Sequence, residues 1–171
     1  MKRFLILSLM VGLFFSAQAQ HVFNKGSLMF NAGVGAPSNF GAIPTLNLSG
    51  EFGVIPTGDI GLVSFGGMAE FQFAFYDYGY LANKEFFPRF YIGPRAAWHL
   101  QNFISAEFDV YAGVGAGLIV NGGSSNIDGT VEWHPDVFAG GRWMFAPGAG
   151  LFAEVGYTGL SFLKFGLTFG L

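Results

Sequence analysis

The sequence predicts an all-β fold: an eight-stranded antiparallel up-and-down transmembrane β-barrel, preceded by a cleaved signal peptide. Three observations carry that expectation. From Ser27 to the C-terminus apolar side chains recur at every second position, the period of a strand with two unlike faces. The apolar face holds more Phe, Leu and Val than a small water-soluble core absorbs, while charge survives on the opposite face, and a closed barrel in lipid requires that inversion. Of all residues 51% are hydrophobic and 18% aromatic, but only 11% are charged, against about 25% in ordinary domains.

The N-terminus reads as an export signal. Lys2 and Arg3 give the positive start, Phe4–Phe15 an apolar run, and Ala17-Gln18-Ala19 a small-residue cleavage site, so residues 1–19 form the signal peptide. Residues 20–171 then form the barrel domain. The apolar run is too short for an uncleaved membrane helix, which needs about 20 residues. Cleavage removes Lys2 and Arg3 from the 8 basic residues, leaving 6 against 11 acidic and a net charge of −5. With nothing basic clustered, nucleic acid is not expected as a partner. The chain has no cysteine, so its stability must come without disulfides.

The strands follow in order. The first, Ser27–Ala36, sets Leu28, Phe30, Ala32 and Val34 outward. The second, about Ile43–Val54, alternates Leu46, Leu48 and Phe52 with Thr45, Asn47, Ser49 and Glu51, and Pro56–Asp59 turns the chain. The third, Gly61–Tyr76, sets Phe65, Phe71, Phe73 and Phe75 against Ser64, Met68, Glu70 and Gln72. In the fourth, Phe86–Leu100, outward Phe90, Ile92 and Trp98 face away from Arg89, Tyr91, Arg95 and His99. A tight Gln101-Asn102 turn leads to the fifth, Ile104–Val120, with Glu107, Asp109 and Tyr111 inward. The sixth, Thr130–Phe145, points Phe138 and Arg142 inward and Trp143 and Phe145 outward. After Pro147-Gly148 the seventh, Leu151–Tyr157, carries Glu154 inward. The eighth ends the chain, with Leu163, Phe165, Leu167, Phe169 and Leu171 opposite Lys164 and Thr168.

Each crossing needs about 9–11 residues, so eight strands fill the mature chain. Connections two, four and six are short and the others longer, the asymmetry of barrels with inner turns and outer loops. At eight strands the interior is just wide enough for side chains to fill. Charges in lipid at the midplane cost about 2–4 kcal/mol, whereas charges in the lumen can pair. Glu51, Glu70, Arg89, Arg95, Glu107, Asp109, Arg142, Glu154 and Lys164 are therefore expected to form a buried ion-pair network. Turn geometry suggests Arg142 opposite Glu154, and Arg95 near Glu107 or Asp109. Aromatics at strand ends fit two interfacial belts: Phe73, Phe75, Phe90 and Tyr157 at the outer boundary, Trp98, Trp143, Phe145 and Phe169 at the inner. Pro44, Pro94 and Pro135 fall in or beside strands, and a closed barrel offers no free edge for them, so bulges are expected there. Inward glycines either admit tight curvature beside large side chains or hollow out a cavity.

Other motifs carry less. Gly113-Val-Gly115-Ala-Gly117 lacks the spacing and helix of a dinucleotide site. His134-Pro135-Asp136 has no third ligand at convincing spacing, so neither metal nor cofactor is expected.

The signal peptide, the alternating strands, the short inner turns and the amphipathic last strand together resemble the small outer-membrane barrels of the OmpA/OmpX type. The signal ending Ala-Gln-Ala-Gln and the low charge also resemble outer-membrane β-barrel domain proteins common in Bacteroidota. The resemblance implies a protein of the bacterial outer membrane in a structural, adhesive or loop-mediated binding role, surrounded by outer-membrane lipids. It implies insertion by the barrel-assembly machinery, which reads a terminal aromatic; here Phe169 stands two residues before Leu171. The alternative is a narrow channel or carrier for small hydrophobic molecules. A lipid A-modifying enzyme would need a Ser, His and acid together, and no serine neighbours His99 or His134 in sequence, so no catalytic residue is expected.

Overall fold

The computed structural model describes residues 22–38, 43–76, 85–101, 107–123 and 128–171, without the side chains of 75, 76, 85 and 86. The predicted signal peptide and Phe75's side chain therefore lie outside the described residues. The strands are β1 (Leu28–Pro37), β2 (Thr45–Pro56), β3 (Gly61–Tyr76), β4 (Glu85–Leu100), β5 (Phe108–Asn121), β6 (Thr130–Ala146), β7 (Ala149–Tyr157) and β8 (Ser161–Gly170). Each pairs antiparallel with its neighbours in sequence, and β8 returns to β1, closing the barrel. Among the described residues no helix is long and apolar enough to cross a membrane; the strands make the crossing.

Alternation places the faces as the pattern requires. Leu46, Leu48, Val114, Val137, Val155 and Phe165 are exposed on the outside, while Thr45, Asn47, Glu51, Asp109 and Lys164 are buried inside. In water such a surface would be an aggregation hazard; in acyl chains it is the favourable face. Inward glycines let rings cross the lumen rather than leave a void. A Cβ on Gly33 would meet the Phe152 ring, one on Gly117 the Tyr91 ring, and one on Gly113 the Phe138 ring.

Three local expectations are corrected. The fourth connection is no tight Gln101-Asn102 turn: β4 ends at Leu100 and β5 starts at Phe108. Residues 102–106, including Ile104, lie outside the description, and Glu107 sits exposed in a turn. The irregularities fall at Ala36/Pro37, Gly53/Ile55 and Met144/Ala146, none of them at the three prolines expected to cause bulges. Pro44 precedes β2. Around Pro94 the β4–β5 ladder skips from Ile92↔Leu118 to Arg95↔Gly115 without changing register: two residue pairs drop out and the strand stays in line.

Pro135 has a different explanation. β7 pairs with β6 only from Val137 to Ala146, whereas β5 pairs with β6 as far as Thr130. On its other side the segment Thr130–Asp136 meets no described strand. Met144 donates its N–H to Glu107 O, on the β5 side, and the β5–β6 register does not shift. Backbone groups in an antiparallel ladder alternate sides, so Val131, Trp133 and Pro135 aim theirs at the open edge. Proline is tolerated there because its missing N–H had no partner.

Candidate functional site

Strand lengths make the barrel lopsided. β7, β8 and β1 span 9, 10 and 10 residues, about one membrane crossing. β3, β4 and β6 span 16, 16 and 17, and β5 spans 14. The surplus lies at the end away from the termini, hereafter the outer end. Beyond Val137, β6 continues for roughly 20 Å at about 3.3 Å per residue. The projecting β3–β6 sheet has an apolar convex face bearing Phe73, Phe90, Val120, Val131 and Trp133, the last two 64% and 66% exposed. Its concave face is polar. Arg89 Nε donates to Asn121 Oδ1 at 2.8 Å, and Asn121 Nδ2 to Thr130 Oγ1 at 2.9 Å.

Below this sheet the lumen is filled in tiers. At the inner end Arg142 contacts Asp109 at 2.7 Å and Glu51 at 3.1 Å, and its Nε donates to Asn31 Oδ1 at 3.2 Å. His99 lies between the same two acids, Nδ1 2.9 Å from Asp109 and Nε2 3.2 Å from Glu51. The next tier joins Arg95 to Glu154 at 2.9 Å and to Asp136 at 3.6 Å, with Lys164 3.3 Å from Glu154. Tyr111 Oη donates to Glu154 Oε2 at 3.3 Å. Above it Glu70 makes no ion pair among the described residues. Instead it accepts hydroxyl protons from Thr45 at 2.5 Å and Thr158 at 2.6 Å. Buried charges cost several kcal/mol each unless compensated; the two lower tiers are compensated mainly by ion pairs, and Glu70 by hydroxyl donors alone.

The expected partners are thus rearranged. Arg142 stands opposite Phe152, not Glu154, which lies opposite Gly140. The observed β6–β7 register differs from the expected one by two residues, one of them from the bulge at Met144/Ala146; a two-residue difference keeps every side chain on its face and changes its neighbour. Arg95 reaches neither Glu107 nor Asp109 and crosses the lumen to Glu154. Arg89 is half-buried at the outer mouth, away from the ion pairs, and Glu107 is outside the lumen. Asp136, buried and ion-paired, was missed because it was weighed only as a metal ligand. Among the described residues no three His, Cys, Asp or Glu stand together as a metal site.

Of the expected belt, Phe73, Phe90, Trp98, Trp143, Phe145, Tyr157 and Phe169 are exposed on the outer surface. Trp98 Nε1 donates to Thr57 Oγ1 at 3.0 Å, the polar handle typical of an interfacial indole. Trp133 was overlooked because it lies beyond the outer belt.

Both ends are stoppered. At the inner end the segment before β1 folds into the mouth, where the Phe23 ring centroid sits 4.2 Å from that of His99. Gln101 Nε2 donates to Phe23 O at 2.6 Å. At the outer end the β7–β8 turn bends inward and buries Leu160 against Met68, Tyr91 and Ile119.

An apolar exterior, a paired polar interior and a closed ring of eight strands define a transmembrane β-barrel of outer-membrane type. Two solved structures of Ail, the attachment invasion locus protein of Yersinia pestis, are similar in fold. One has 13% identity over 86% of this chain and 99% of that chain, with a TM-score of 0.48. The other, in complex with the heparin analogue sucrose octasulfate, has 12% identity over 85% and 96%, with a TM-score of 0.45. No family model and no curated protein matches the sequence.

Proposed function

We propose that this chain is an integral outer-membrane barrel of the OmpA/OmpX type, with a plugged and charge-paired lumen, whose projecting β3–β6 sheet binds a partner at the cell surface. The observation that carries the reading is the Thr130–Asp136 edge of β6, which meets no described strand and lies beside exposed Val131 and Trp133, its Pro135 O being 3.0 Å from His134 Nδ1. An exposed edge is a template for an added strand. Outer-membrane lipids surround the wall, and the barrel-assembly machinery inserts the chain through its last strand.

The reading assigns no catalysis to the lumen. Ser64 Oγ lies 2.9 Å from His99 Nε2, and His99 Nδ1 2.9 Å from Asp109, the connectivity of a hydrolytic triad. However, Ser64 also donates to Glu51 at 3.2 Å, His99 is pinned between two acids, and all are buried. A conducting or carrier role is disfavoured by the same filling and by both stoppers.

The test compares proline at two neighbouring positions. Trp133→Pro removes an N–H aimed at the open edge, and Glu132→Pro one aimed at β5. Expressing cells should lose adhesion to protein-coated surfaces with Trp133→Pro while the barrel keeps its heat-dependent gel shift. Glu132→Pro should lower thermal stability by losing a ladder bond, about 0.5–1.5 kcal/mol. Unchanged adhesion with an intact Trp133→Pro barrel would refute the edge as a binding surface.

A further inference from the structure

The β7–β8 connection is held by bonds of an unusual kind. Thr158 is fully buried and its hydroxyl donates to Glu70 Oε2 while accepting from Leu160 N and Ser161 N at 3.3 Å each. Leu160 O accepts from Ser38 N at 2.8 Å and Gln72 Nε2 at 3.4 Å. Gly159 has φ +87°, a left-handed conformation that glycine adopts without strain. The last β7–β8 pair is Val155↔Leu163, and Ser161 pairs with Pro37 of β1, so residues 158–160 are kept inside the mouth by these side-chain and loop contacts. The contact shared with the rest of the lumen is Glu70, whose other oxygen is held by Thr45 at the start of β2.

We propose that the Thr158–Ser161 turn is a latched stopper, that Glu70 is its latch, and that releasing the latch opens the outer half of the lumen to water while Phe23 keeps the inner end shut. Glu70 is suited to this position because it is a buried carboxylate that makes no ion pair among the described residues. Its two threonine partners tie the β7–β8 connection to the start of β2 at once. Gly159 supplies the hinge: a Cβ there would lie 2.6 Å from Ile119 Cδ1, so the turn seats flush against Ile119 only because it lacks a side chain. Once the turn swings out, Tyr91, Asp136 and Lys164 line the space beneath. Among the described residues the Tyr91 hydroxyl and both Asp136 oxygens have no hydrogen-bond partner, Asp136 keeping only its 3.6 Å ion pair with Arg95, and entering water would satisfy them.

The chain has no cysteine, so one introduced thiol reports cleanly. Ile119→Cys, under the stopper, and Met29→Cys, behind Phe23, are placed singly in barrels reconstituted in liposomes and treated with a charged maleimide. With Glu70 intact both thiols should label slowly. Adding Glu70→Ala should speed labelling at position 119 roughly tenfold or more, as expected for the loss of a charged hydrogen bond, and leave position 29 slow. Thr158→Val should act in the same direction and serves if Glu70→Ala fails to assemble. Equal labelling of Ile119→Cys with and without the latch overturns the proposal. So does parallel acceleration at both positions, which would mean general loosening of the barrel.

Discussion

Arg142 contacts Asp109, Glu51 and Asn31 from one guanidinium, and its charge also lies 4.3 Å over the Tyr111 ring. A group so enclosed cannot be removed without stranding two carboxylates in the lumen. Arg142→Ala is expected to cost about 3–5 kcal/mol, the usual penalty for breaking a buried pair from one side, read as a lower urea midpoint in lipid. In double-mutant cycles Glu51→Ala should couple to it by more than about 0.5 kcal/mol and Glu154→Ala by less. The reverse order would restore the register expected from the hairpin turn alone. At this scale the sequence conveyed which way a charged side chain points, since alternation settles that, but not its partner. Glu154 meets Lys164 directly across the β7–β8 ladder but Arg95 from across the lumen, and Ser64 meets His99 from 35 positions away.

The strands themselves were legible because each repeats a two-residue period over many positions. The lengths of the long third, fourth and sixth were legible too, but the fifth begins at Phe108 and not at Ile104. What stayed hidden was the consequence of unequal neighbours. Pro135 looked like a defect in a closed wall, yet it lies on the stretch of β6 that outruns β7. Closure depends on a different set of positions, where backbones approach closely. A Cβ on Gly166 would sit 2.2 Å from Ala32 O, and one on Gly33 the same distance from Phe165 O, both across the β1–β8 seam. Gly166→Val should therefore prevent that pairing, and the protein should lose its heat-dependent gel shift while Thr168→Val, which adds no Cβ, keeps it.

As a whole the molecule is a filled cylinder, polar within and apolar without, blocked at each end by its own chain. Planar-bilayer recordings of the native protein should show no discrete conductance steps, and steps at neutral pH would contradict the packing of the tiers. The general architecture could be foreseen because eight strands enclose little more than their own side chains. The stoppers could not, because Phe23 sits before β1 and Leu160 in the β7–β8 connection, where no periodicity indicates direction.

The pairing of Met29–Pro37 with Ser161–Gly170 also orders events in time. The first hairpin to leave the ribosome waits for the last before either has a complete set of neighbours, and contacts so distant along the chain form slowly. Until then the greasy face of every strand is exposed to water. The seam between first and last strands thus makes burial of those faces a single late event, completed only when the whole chain is present.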